Sequence, residues 1–153
     1  MPNLKIGIIG TGVMGAGHAR FLRENVPGAD VVAITDVDEK RAQGLIKDLG
    51  GSIEFFSSAE ALMAQGGLDG VIIASPDALH VEHLRLAIKH KIPTLCEKPI
   101  ATNIEDAEII TSEILEFEKS MNQNDGLLQN YFQPYTCAPS QLVLCGFALL
   151  QDL

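Results

Sequence analysis

Four short groups of residues in this sequence have the types and spacing to do chemistry. The first is Gly10-Thr11-Gly12-Val13-Met14-Gly15, three glycines spaced G-x-G-x-x-G. Its chemistry is the binding of a diphosphate. Gly10 permits a tight turn, Gly12 has no Cβ to hold a pyrophosphate away, and Gly15 lets a helix pack closely on a strand. Backbone N–H groups around Thr11, Val13 and Met14 then meet the anion at the positive end of that helix, where a negative charge gains roughly 0.3–2 kcal/mol. Glycine spacing alone is weak evidence; a strand before it and a helix after it give it weight.

The second group is Asp36, about twenty residues beyond the last of those glycines, where an acidic side chain can accept both hydroxyls of an adenosine ribose. A 2′-phosphate held ~4 Å from this carboxylate would meet roughly 1–4 kcal/mol of repulsion per charge, which favours NAD over NADP. The plainer reading of Asp36 is a turn residue or helix cap. The third group, Ser75-Pro76 with His80, follows an apolar run and is placed to line the cofactor's path. The fourth is Glu97-Lys98-Pro99. Proline cannot continue a central strand, so Glu97 and Lys98 emerge at the same rim as the glycine turn. A lysine there can bond a ribose hydroxyl, or a substrate hydroxyl about to lose hydride, and its ammonium can stabilise a developing alkoxide. The alternative is a surface Glu–Lys pair, worth little. His80-Val81-Glu82-His83 lacks zinc spacings and further ligands, so no metal is expected.

These groups need strands that end at one rim and helices that return the chain. Apolar runs at residues 5–9, 31–35, 53–56, 70–74 and 93–96 read as strands, and the second is apolar throughout, as a strand covered on both faces should be. Between them lie helical repeats. The first, Val13 to Asn25, turns Met14, His18, Phe21 and Leu22 to the sheet. His18 reads as a packed histidine with a satisfied ring. Asp38 caps the second helix, whose inner face is Ala42, Leu45, Ile46 and Leu49. Capping boxes at Ser57/Glu60 and Thr102/Glu105 open two more helices. In the helix after His80, Val81, Leu84, Ala87 and Ile88 face inward and Glu82, His83 and Arg85 outward. In the last, Ile104, Ala107, Ile110, Ile114 and Phe117 repeat at helical spacing. The predicted fold is α/β, a doubly wound parallel sheet of order 3-2-1-4-5, with a sixth strand expected at residues 142–147.

A chain of 153 residues fits one ordinary domain, and 46% hydrophobic with 20% charged residues reads as globular. The net charge of −9 offers no basic stripe for nucleic acid. No signal peptide is evident, and the apolar run at residues 142–150 is too short to span a bilayer, so no membrane partner is expected. Three cysteines without a C-x-x-C pair fit a reducing compartment, with the cytoplasm as the default.

Taken together, the first strand with its glycine turn, Asp36, Ser75-Pro76-x-x-x-His80 and Cys96-Glu97-Lys98-Pro99 resemble the Gfo/Idh/MocA oxidoreductases. This is the glucose–fructose oxidoreductase and inositol 2-dehydrogenase group, and the resemblance spans roughly residues 3 to 119. It implies a Rossmann domain binding NAD(H) or NADP(H) and hydride transfer at a sugar, cyclitol or related hydroxyl. It also implies that Lys98 touches the nicotinamide ribose and the substrate, and that Asp36 is the ribose-binding acid. Family members continue into a second α/β domain that supplies most substrate contacts. Here residues 1–119 form the expected dinucleotide-binding domain. Residues 120–141 read as an irregular connection, and residues 142–153 as a last strand and the start of a missing domain. A truncated or mis-spliced frame is the simplest account of that ending. Two functions follow as expectations: an NAD-linked dehydrogenase whose catalytic lysine is Lys98, or an NAD(H)-binding module or redox sensor without chemistry of its own.

Overall fold

Valine and isoleucine runs too short for helices, each followed by an amphipathic repeat, can bury both faces only by lying side by side under helices. In the computed structural model, which describes residues 2–122, the order is β1 (Leu4–Ile9), α1 (Val13–Asn25), β2 (Ala29–Thr35), α2 (Glu39–Leu49) and β3 (Glu54–Phe56). Then follow α3 (Ala59–Ala64), β4 (Gly70–Ile73), a single 3₁₀ turn at Asp77–Leu79, α4 (His80–His90), β5 (Thr94–Cys96) and α5 (Ile104–Asn122). The strands form one parallel sheet of order β3-β2-β1-β4-β5. The predicted doubly wound order therefore holds. The sixth strand expected at residues 142–147 lies outside the described residues.

Alternation along the strands divides the core in two. Ile8, Ile34 and Ile72 face α1 and α2, where Ala19, Leu22, Ala42 and Leu45 meet them. Ile9, Ala33, Val71 and Ile73 face the other way, against Leu62, Met63, Leu84, Ala87 and Ile110. Each fully buried isoleucine contributes about 1.5–3 kcal/mol relative to exposure, so the central strands anchor both layers.

The helix faces differ from expectation in instructive ways. On α1 the buried stripe is Gly15, Ala19 and Leu22, whereas Met14 and Phe21 are 53% and 49% exposed. A Cβ on Gly15 would overlap the Gly10 carbonyl oxygen, so this contact sets the rotation of the helix and swings the larger side chains away. On α4, His83 is buried rather than solvated. On α5, Ile110 and Ile114 are buried as expected, but Ile104 is 78% exposed.

Neither predicted capping box forms; in both helices the cap is the residue after the one expected. Pairing of Phe56 with Thr35 holds the chain extended, so Ser57 makes the turn. Ser58 caps α3 by accepting the Ala61 N–H at 3.1 Å. Before α5, Asn103 accepts the Asp106 N–H at 2.8 Å and its amide donates to the Asp106 carboxylate at 2.6 Å. Asn103 thus caps the helix in place of Thr102, and a side-chain contact with Asp106 stands in place of the expected reciprocal bond of Glu105. Among the described residues no helix is long and apolar enough to cross a membrane.

The glycine contacts give opposite expectations at two helical sites. Gly15→Ala should destabilise the fold by about 1–3 kcal/mol, as overpacking does. Gly44→Ala, where an added Cβ meets nothing within 4 Å, should stabilise it by about 0.5–1 kcal/mol. Urea unfolding of the two variants checks both.

Candidate functional site

The site is built where neighbouring strands release the chain in opposite directions. Beyond β1, the Gly10 N–H donates to Thr35 O at 2.8 Å, and the Ala74 N–H donates to Ile9 O at 2.8 Å. The turn is thus pinned between the carboxyl ends of β2 and β4. Gly10 has φ of +90°, and a Cβ there would lie 2.5 Å from the Ala74 carbonyl oxygen. Only glycine meets both demands.

Gly12 differs. A Cβ on it would meet nothing of the protein within 4 Å, so its bare face looks into open space. It is also the N-cap of α1, with no side-chain cap and no acid in the first turn. By contrast, α2 begins with Asp38 accepting the Arg41 N–H, and α3 with Ser58. The α1 terminus therefore presents unclaimed N–H groups beside space that a side chain would fill. That combination fits a diphosphate.

The space is a cleft of about 610 Å³. Gly10, Gly12, Val13, Met14, Asp36, Ser75 and Pro76 all line it. Thr11 does not; it is buried against Asp36. Gly15 lies beneath the turn, and His80 lies below the Ser75 loop. Glu97 and Lys98 stand outside the lining at the rim of β5, and Lys98 is exposed. A second cavity of about 560 Å³ opens at the amino ends of the strands, between Lys5, Gly51, Gly66 and Gly67, far from these groups.

Asp36 is more than a turn residue. Its Oδ2 accepts the Thr11 N–H at 2.6 Å and the Thr11 hydroxyl at 2.7 Å. Its Oδ1 accepts the Asp38 N–H at 2.8 Å and Arg41 Nη2 at 2.7 Å. A carboxylate has about four lone-pair sites, and all are filled. Burial of this carboxyl works to raise its pKa, but the Arg41, Asp38 and Thr11 bonds outweigh it and bring the value down to about 2.

Three histidines organise the rest of the rim. His80, 1% exposed, has Nδ1 2.7 Å from Pro99 O and Nε2 2.8 Å from Ser75 O. A neutral ring donates to one of these carbonyls; only the doubly protonated ring donates to both. His83 Nδ1 lies 2.9 Å from the Ser75 hydroxyl, and burial lowers its pKa, favouring the neutral ring. His18 Nε2 lies 2.6 Å from Glu97 Oε1, so its mostly covered ring is satisfied, as expected, and its partner is the residue that follows β5. Burial, with Glu97 adding to it, pushes the Cys96 thiol up to about 12, which leaves it an unreactive neighbour.

His83 and Arg41 are the cleft residues that pattern reasoning passes over. The signal for His83 was its position three residues after His80, on the side of α4 that carries Leu84 and Ala87. Arg41 gave no signal beyond its place in the first turn of α2.

Fold and site define a Rossmann domain with its dinucleotide cleft at the sheet's switch point. The chain belongs to the Gfo/Idh/MocA oxidoreductase family, whose NAD-binding Rossmann fold matches residues 4–121. Among relatives, inositol 2-dehydrogenase 1 of Saccharopolyspora erythraea is 37% identical over 112 residues, 72% of this chain and 33% of its own. Inositol 2-dehydrogenase of Rubrobacter xylanophilus is 34% identical over 143 residues, 94% of this chain and 40% of its own. Myo-inositol dehydrogenase from Lactobacillus casei, solved with NAD(H) and myo-inositol, superposes with a TM-score of 0.72 at 31% identity. That match covers 74% of this chain and 34% of the solved one. The chain thus spans about a third of the length of these relatives.

Because folding lowers the Asp36 pKa from 3.8 to about 2, its ionised form adds stability that is complete above 3.8 and is lost as pH falls towards 2. Asp36→Asn removes that term. The difference in melting temperature between wild type and variant should narrow over this window in thermal scans.

Proposed function

We propose that the chain holds NAD(H) across the switch-point cleft and is the dinucleotide-binding part of an oxidoreductase acting on a cyclitol, sugar or related polyol hydroxyl. The observation that carries this is the bare face of Gly12 at the uncapped start of α1, inside the cleft that Asp36 also lines. NAD, when bound, supplies the hydride acceptor.

The residues divide the work along the cleft. N–H groups of Gly12, Val13 and Met14 face the diphosphate. Asp36 receives the adenosine ribose hydroxyls, for which the Thr11 hydroxyl and Arg41 give way, since these donors are side chains that rotate. The N–H donors of Thr11 and Asp38 are fixed by the backbone and stay. Ser75 and Pro76 line the path between, and His80 and Glu97 hold the loops that end at Lys98. The Lys98 ammonium meets the nicotinamide ribose and a substrate hydroxyl, donating a hydrogen bond that strengthens as the oxygen becomes an alkoxide. Inositol dehydrogenases among the relatives support a polyol as the substrate class.

A second reading, an NAD(H)-binding module without turnover, is favoured by the exposure of Lys98 outside the cleft. Nothing among the described residues encloses a substrate there or excludes water. An assay of inositol oxidation by the purified chain separates the two.

Titration with NADH and NADPH tests the site. Gly12→Val should abolish NADH binding while the melting transition stays, because the new side chain fills the diphosphate's space. Asp36→Ala should weaken NADH by about 10–100-fold and NADPH far less, as loss of a charged hydrogen-bond acceptor would. Equal losses would remove the ribose assignment. Lys98→Ala should leave stability within about 0.5 kcal/mol, as exposed sites do, and abolish any polyol oxidation.

A further inference from the structure

Both sequence neighbours of Lys98 are tied to helices by histidines. On one side, Glu97 Oε1 lies 2.6 Å from Nε2 of His18, in the second turn of the helix that opens at the glycine turn. The Glu97 N–H also donates to Ile73 O at 2.9 Å, extending β5 along β4. On the other side, Pro99 O lies 2.7 Å from Nδ1 of His80, whose Nε2 meets the Ser75 carbonyl. His80 is fully buried, and His18 and Glu97 are each mostly covered.

The pairing of Glu97 with His18 has a consequence for the lysine beside it. A carboxylate next to an exposed ammonium would otherwise draw that ammonium to itself. Glu97 Oε1 is held by His18 on α1 and Oε2 accepts the backbone N–H of Lys98 at 3.4 Å, and among the described residues the Lys98 side chain makes no ion pair. Its ammonium stays available at the rim.

We propose that His18 and His80 are positioning residues that clamp the Glu97–Pro99 loop from two helices and so fix where the Lys98 ammonium stands. This rests on the cofactor reading above. Because His18 lies on the helix whose N-terminus faces the diphosphate, the clamp sets the lysine's distance from the same element that seats the cofactor's middle. His80 does the same towards the Ser75 loop.

Calorimetric titration of the whole chain with NADH and with ADP-ribose, which lacks the nicotinamide, isolates that end of the site. Wild type should prefer NADH. His18→Ala should cut the preference about tenfold, the loss of one charged hydrogen bond, with ADP-ribose affinity kept. His18→Gln, whose amide N–H can still donate to Glu97, should restore it. In a Lys98→Ala background the His18 change should add nothing, since it acts through the lysine. If His18→Ala does not fold, Glu97→Ala, which removes the partner oxygen, carries the same expectation. An unchanged preference in His18→Ala, equal loss of both ligands, or equal wild-type affinities for the two would overturn the clamp alone. A wild type that binds neither nucleotide would overturn the cofactor reading and the clamp with it.

Discussion

The contact between Gly15 and the Gly10 carbonyl governs the architecture of the site. No side chain fits there, so α1 can lie against the end of β1 only with glycine at the point of approach. That approach fixes the rotation of α1 about its axis. It turns Gly15, Ala19 and Leu22 onto the sheet, leaves the first N–H groups facing the cleft, and points His18 across to Glu97. One missing methyl group thereby couples core packing to both ends of the binding surface.

The same economy appears at the rim. Loops that leave a parallel sheet have few backbone partners, and buried polar groups there must find side-chain partners instead. Here the Ser75 loop is held through its carbonyl by His80 and through its hydroxyl by His83. His80 continues the connection to Pro99. The two loops that flank the cleft's far end therefore both rest on the His80 ring, one carbonyl against each of its nitrogens.

The strands and their order were legible in the sequence because each is a short β-branched run followed by a helical repeat. The glycine turn announced the switch point, and Asp36, Ser75 and Pro76 line the same cleft as Gly10 and Gly12. What escaped was geometry without a local signature. Counting apolar positions on α1 favours Met14 and Phe21 because they are large, whereas the helix is seated by its smallest residues. The cap slipped by one at Ser58 because strand pairing at Phe56, not cap chemistry, decides where the turn begins; at Asn103 the cap is likewise one residue on from Thr102. His18 and Glu97 are separated by 79 positions, and nothing near either residue points to the other.

The filled carboxylate of Asp36 has a bearing on selectivity. A ligand that arrives at an acid already carrying four donors exchanges partners; it does not gain new ones. Such an exchange keeps every lone pair of the carboxylate filled for a sugar that matches the departing groups, and strands one for a sugar that does not. Discrimination at this end of the cleft then follows from how well the incoming hydroxyls replace the departing donors.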